Sequence, residues 1–163
     1  MFRVKESIHI NAPVDRCFLL STSVSLVQKT LGMRPVEGKT SDLVTMGDRV
    51  LWRGWKFGIP VSHETLITGY DRPHFFQDSM ASGRFKHFHH DHRFDSVGGQ
   101  TLLVDTVQFS LPFGALGRWI GRHIVVPHVL LLMRARFARL KRTAESRDWE
   151  HYIPLAKTGT DPQ

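Results

Sequence analysis

The sequence predicts an α+β protein in which one curved antiparallel sheet of about seven strands wraps a long C-terminal helix. Three observations predict it. From Met33 to Leu111 the turn signals punctuate β-type runs of four to twelve residues and leave no room for an intervening helix. Around Gly98-Gly99 two long strands face each other across a two-residue turn, a dipeptide suited to the positive φ values of a type I′ hairpin. After Pro112-Phe113-Gly114 stops the last strand, about 30 residues of helical pattern follow, roughly 45 Å if unbroken.

In chain order, Phe2–Ile10 alternates as a strand. Asn11-Ala12-Pro13 then marks a helix start, since proline at the first helical position loses no hydrogen bond. Val14–Ser21 reads as one short helix and Ser23–Leu31 as a second helix or turn, ended by Gly32. The following strands are separated at Gly38, Gly47-Asp48, Gly58-Ile59-Pro60, Tyr70–Pro73, Ala81-Ser82-Gly83 and Gly98-Gly99. Trp52 and Trp55 share no period-two face, and the intervening Gly54 suggests a bulge.

The Gly98-Gly99 hairpin sets a register: Phe94 opposite Leu103, His92 opposite Asp105, His90 opposite Val107, and Phe88 opposite Phe109. All eight then share one face, while His87, His89, Asp91, Arg93 and Asp95 belong in water. Centring the preceding hairpin on Ala81-Ser82-Gly83 pairs Phe76 with Phe88 and Asp78 with Lys86, a charged pair at the rim. At 100° per residue the terminal helix gathers Leu116, Ile120, His123, Pro127, Leu130, Leu131, Arg134 and Phe137 on its inner side. Arg118, Arg136 and Arg147 lie opposite, and Pro127 should kink the helix.

Composition narrows the function classes. The 163 residues fit one domain, expected over 1–156 with a flexible tail at 157–163. Cys17 is the only cysteine, so no internal disulfide forms. The first residues lack a signal-peptide core and no run is long enough to span a bilayer, which favours a cytoplasmic protein. From Arg118 to Arg147 eight basic residues face one acid, so this segment carries the whole +7 net charge. A solvated helix face explains it, with anionic membrane-surface contact as the alternative; no nucleic-acid partner is expected.

The apolar inner face carries polar groups that a core does not need. His92 opposite Asp105 is either a buried pair that fixes strand register or an anchor for a ligand's polar end. His90, opposite Val107, has no evident partner. A curved sheet against one helix leaves space that side chains alone do not fill, so an internal cavity is expected. Its lining would come from Trp52, Phe76, Phe88, His90, His92, Phe94, Asp105, Val107 and Phe109 of the sheet. The helix would add Leu116, Ile120, His123, Pro127 and Arg134. The snorkelling of Arg134 to water is the simpler account of that residue. His92, Asp105 and His90 are also the candidate acid–base groups should the protein be an enzyme, although no nucleophile motif accompanies them. Same-face histidines at this spacing can chelate zinc, and Asp105 could join the inner pair. Without a further ligand in view, neither a metal nor any other cofactor is expected.

The order strand, two short helices, six antiparallel strands and long helix resembles the START-related helix-grip superfamily, also called SRPBCC. The residues that carry the resemblance are Ile10–Pro13, Gly47–Gly54, Asp71-Arg72-Pro73, Gly83–Lys86, His90–Phe94, Thr101–Asp105 and Leu111–Gly117. It spans roughly residues 2–142 and points to a ligand-binding branch. The resemblance implies an interior site for a small hydrophobic molecule such as a lipid, quinone or polyketide, and cyclase or dehydrase activity in some members.

Overall fold

The computed structural model describes residues 1–153; the tail expected from Lys157 lies outside them. Strands β1 (Phe2–Ile10), β2 (Met33–Gly38), β3 (Arg49–Lys56), β4 (Ile59–Asp71), β5 (Phe75–Ser82), β6 (His87–Val97) and β7 (Gln100–Ser110) form one antiparallel sheet. Its order is β1-β7-β6-β5-β4-β3-β2. The hairpins run consecutively from β2 to β7, and β1 closes on β7 because α1 (Val14–Ser21) and α2 (Val24–Leu31) carry the chain across to the far edge. Gly32 ends α2 at φ +61°, the left-handed position where glycine carries no Cβ penalty.

The β6–β7 register is the one the Gly98-Gly99 turn dictates, with Phe94, His92, His90 and Phe88 opposite Leu103, Asp105, Val107 and Phe109. The β5–β6 register differs from expectation. Phe76 pairs with His92 and Asp78 with His90, because the connection is the longer Gly83–Lys86 loop. A slip of four residues leaves every side chain on its original face, so alternation could not detect it. Its consequence is large: Asp78 moves from the rim to a seat beside the histidines. The bulge expected at Gly54 is on β2 instead, where the pairing with β3 shifts between Pro35 and Glu37. Gly54 is small for another reason: a Cβ there would press on the Met33 side chain of β2, 2.9 Å away.

The C-terminal helix comprises α3 (Gly114–Ile120), a π-helical turn (Gly121–Val125) and α4 (Val126–Glu145). Pro127 directly follows the π turn within helical backbone that runs unbroken from α3, so the irregularity stands where its ring and missing N–H interrupt the regular ladder. The helix seats on the sheet through glycine as well as apolar residues. A Cβ on Gly117 would collide with the Pro112 carbonyl oxygen, and one on Gly121 with the Phe2 ring. After the π turn the buried positions are Val129, Met133, Phe137, Leu140, Thr143 and Ala144.

This reverses part of the expected inner face. Leu116, His123, Pro127 and Leu131 are exposed, and Arg134 turns to solvent at 67% side-chain exposure, where it pairs with Glu6 of β1 at 2.9 Å. Arg136, expected outside, points inward at 14%. Two physical reasons account for the reversal. Glycines mark the seat of α3 without contributing hydrophobicity, and the π turn adds about one residue, which rotates everything downstream by about 100°. Of the expected inner residues, Phe137 is buried, and Ile120 and Leu130 are partly so.

Three apolar clusters surround this interface. One joins Phe18 of α1 to Phe76, Phe94, Leu103, Phe137 and Leu140. A second holds Trp52 with Val50, Ile67 and Met33 beneath α2. A third holds Val4, Val107, Phe109, Val129 and Met133, with Phe85 and Phe88 at its margin. Cys17 is buried in the first, as a packed rather than reactive thiol requires.

Candidate functional site

Where the concave face of β5, β6 and β7 meets α4, five polar side chains gather. Strand alternation places Asp78, His90, His92 and Asp105 on one face, and the helix supplies Arg136. Asp105 is fully buried and His92 is 3% exposed. His92 Nδ1 lies 2.8 Å from Asp105 Oδ1, and the other carboxylate oxygen accepts from Arg136. Arg136 Nη1 also stands 3.0 Å from His92 Nδ1. Both nitrogens cannot donate to each other, so the carboxylate settles the tautomer: His92 carries its proton on Nδ1 and Arg136 gives its own to Oδ2.

That tautomer leaves His92 Nε2 facing Asp78 Oδ1 at 3.4 Å. His90 bridges the same two acids, with Nδ1 3.5 Å from Asp78 Oδ1 and Nε2 3.3 Å from Asp105 Oδ2. Neither Asp78 Oδ1 nor His90 Nε2 makes an aligned hydrogen bond, although both atoms are buried. The two imidazoles lie 3.8 Å apart, and Phe76 stacks on His92 at 4.1 Å.

Burial alone would raise the Asp105 carboxyl, but the charges of His92 and Arg136, the His92 hydrogen bond and the His90 imidazole beside it hold it well below the usual range. Asp78 also falls: its burial is outweighed by the His92 imidazole beside it and by the nearby positive charges. His90 goes down because burial disfavours its charged form and His92 adds repulsion, against which the carboxylates pull weakly. The arrangement therefore offers two carboxylates, a fixed guanidinium and a buried neutral imidazole.

Of the residues singled out in the sequence, the structure brings His90, His92, Asp105 and Phe76 together, with Phe94 stacked beyond Phe76 at 6.1 Å. Val107, Phe88 and Phe109 line the adjoining cluster, whereas Trp52 belongs to the one under α2. Ile120 is half-buried on α3. His123 is exposed against Trp119, and with Met1, Phe2, Arg118 and Arg122 it borders a surface depression of about 350 Å³. Beside Arg136 a void of about 10 Å³ is lined by Leu20, Ser21, Leu26, Val27, Thr30 and Leu140.

Sequence reasoning left out two members of the group. Asp78 was hidden by the even register slip. Arg136 carried a usable signal, since Met133, Arg136, Phe137, Leu140 and Ala144 keep three- and four-residue steps.

The family profile described as polyketide cyclase / dehydrase and lipid transport matches residues 1–145. The chain belongs to this family. Solved structures agree on the fold. A crystal structure of a Thermus thermophilus protein superposes with a TM-score of 0.70 at 17% identity, covering 88% of this chain and 97% of that one. The Zhui aromatase/cyclase from Streptomyces sp. R1128 gives 0.68 at 13% identity, with 90% and 97% covered. A START superfamily protein from Mycobacterium smegmatis gives 0.64 at 11% identity, with 88% and 97% covered. No curated protein matches the sequence. The helix-grip fold and the START/SRPBCC membership read from the sequence both stand. Among the described residues no helix is long and apolar enough to cross a membrane.

Proposed function

We propose that this protein binds a small, largely apolar molecule between the concave face of its sheet and α4, and that the Asp78–His90–His92–Asp105–Arg136 group holds the molecule's polar end. The observation that carries the reading is the group itself. Replacing buried ion pairs by packed apolar side chains is often neutral or stabilising, so a core built only for stability gains little from five polar residues. The family's description, which names lipid transport, supports the same kind of partner. The void beside Arg136 is only about 10 Å³ and is lined by α1, α2 and α4, so admission of a ligand there requires one of these helices to give way.

The test compares two fluorescent probes of one shape, naphthalene and 2-naphthol, the second with a single hydroxyl. The wild-type protein is expected to bind both and to prefer 2-naphthol. His90→Phe is expected to lose about tenfold in 2-naphthol affinity, the worth of one buried hydrogen bond, while keeping its affinity for naphthalene. A wild-type protein that binds neither probe sinks the reading, and equal losses for both probes remove the anchor.

The buried His90 imidazole, whose Nε2 makes no aligned hydrogen bond, favours a second reading, acid–base catalysis of the cyclase or dehydrase kind by His90, His92 and Asp105. It demands conversion of a polyketide-like substrate, seen as loss of water or as a chromatographically distinct isomer, that is lost in His90→Phe while binding persists.

A further inference from the structure

Asp78, His90 and His92 each present one ligand atom, and these atoms all lie within 4.8 Å of one another. We propose that the three side chains form a binding site for a divalent transition-metal cation of the zinc class. The inference shares three side chains with the proposed ligand anchor but requires no apolar ligand to be bound.

Four observations lead to it. The first is spacing. With metal–ligand distances of about 2.0–2.1 Å, the edge of a tetrahedral site is about 3.3–3.4 Å. Asp78 Oδ1 lies 3.4 Å from His92 Nε2 and 3.5 Å from His90 Nδ1. Two of the three edges thus match such an ion, and the third, between the two imidazole nitrogens, lies within 4.8 Å.

The second is the outer support. Ligating histidines usually donate their other ring N–H to a carboxylate, which fixes the tautomer and aims the free lone pair. Asp105 does this for His92 through Nδ1 at 2.8 Å, and its other oxygen stands 3.3 Å from His90 Nε2. A single buried acid thus holds His92 and stands close behind His90, so Asp105 is a supporting residue rather than the third ligand that the sequence allowed.

The third is an unmet demand. Asp78 Oδ1 is buried without a hydrogen-bond donor, yet two imidazole nitrogens face it. In its neutral form, with the proton on Nδ1, His92 would turn an Nε2 lone pair toward a carboxylate oxygen. Acceptor against acceptor is unfavourable unless a cation or an added proton lies between them.

The fourth is charge and ligand type. Arg136 offsets Asp105, and with neutral imidazoles the group keeps the one negative charge of Asp78. Two imidazoles and one carboxylate suit zinc-like ions better than calcium or magnesium, which take all-oxygen sets. Three protein ligands also leave a fourth position for water or an oxygen of a bound molecule.

The experiment titrates the metal-stripped full chain, without added histidines, with Co²⁺ and then displaces it with Zn²⁺. The expected result is one equivalent of cobalt with the intense visible absorption of a four-coordinate ion, bleached by zinc, and a zinc-dependent rise in Tm. Asp78→Asn and His90→Gln are expected to weaken cobalt binding at least about tenfold. A variant with both His87→Gln and His89→Gln, on the opposite face of β6, should keep the full signal. Absence of the four-coordinate band in the wild type overturns the proposal, and that result does not depend on how any variant folds. A band that survives both Asp78→Asn and His90→Gln, or that disappears with the outer histidines, overturns it as well.

Discussion

Asp105→Ala is expected to destabilise the protein by about 3–5 kcal/mol, the cost of breaking a buried ion pair from one side. In a chain of this length that is a fall in Tm of about 6–20 °C. The residue is completely buried, and its two oxygens receive the protons of His92 and Arg136 while standing near His90. Removing it strands a guanidinium that is 14% exposed and takes away the partner that orients His92. Asp105→Asn should cost less, because an amide oxygen still accepts one hydrogen bond. The informative comparison is Asp105→Leu with Arg136→Met, which removes both charges together. That pair should recover most of the stability lost in Asp105→Leu alone, as expected for directly coupled residues. Thermal denaturation of wild type, the two single variants and the double variant decides it. A double variant no more stable than the worse single one would show that the charge pairing is not the source of the loss.

Phe18→Ala is the second large effect, again about 3–5 kcal/mol. Phe18 is buried on α1 and meets three aromatic rings edge-on: Tyr70 at 5.2 Å, Phe76 at 5.7 Å and Phe94 at 5.4 Å. Phe76 in turn stacks on His92, so the ring layer is the wall on which the polar group leans. Truncation removes dispersion contacts from all three neighbours and leaves a void that rigid strands cannot close. Urea denaturation should show a lower midpoint with an unchanged slope, since the surface exposed on unfolding hardly differs. Phe18→Leu should cost clearly less. A Phe18→Ala midpoint close to wild type would mean that α1 is not fixed to the sheet by this ring.

The two halves of the candidate site were unequally legible in the sequence. The β6–β7 hairpin could be read to the residue, because a two-glycine turn fixes register and places His92 against Asp105 by counting alone. The β5–β6 connection has no such pin. A four-residue slip costs nothing in face pattern, and Phe76 opposite Phe88 looks as sound as Phe76 opposite His92. The helix misled more severely, because its exposed surface is apolar in the wrong places. Leu116, Trp119, Ile124 and Leu131 face outward, the last at 65% exposure, while Gly117 and Gly121 make the contact. A hydrophobic stripe finds a buried face only where burial is made by large side chains, and here α3 is seated by their absence. No periodicity assumed over the whole helix accommodates a π turn, so Arg134 and Arg136 exchanged roles.

That π turn sets the phase of the polar group. Its five residues hold about one more than a regular helix of the same rise, so every later position is offset by about 100° and about 1.5 Å. Asp78, His90, His92 and Asp105 ride on hydrogen-bonded strands that fix their own facing. Arg136 lies about two and a half coils downstream of Pro127, so deleting one residue from the turn would swing its guanidinium off Asp105 and present another side chain to the carboxylate.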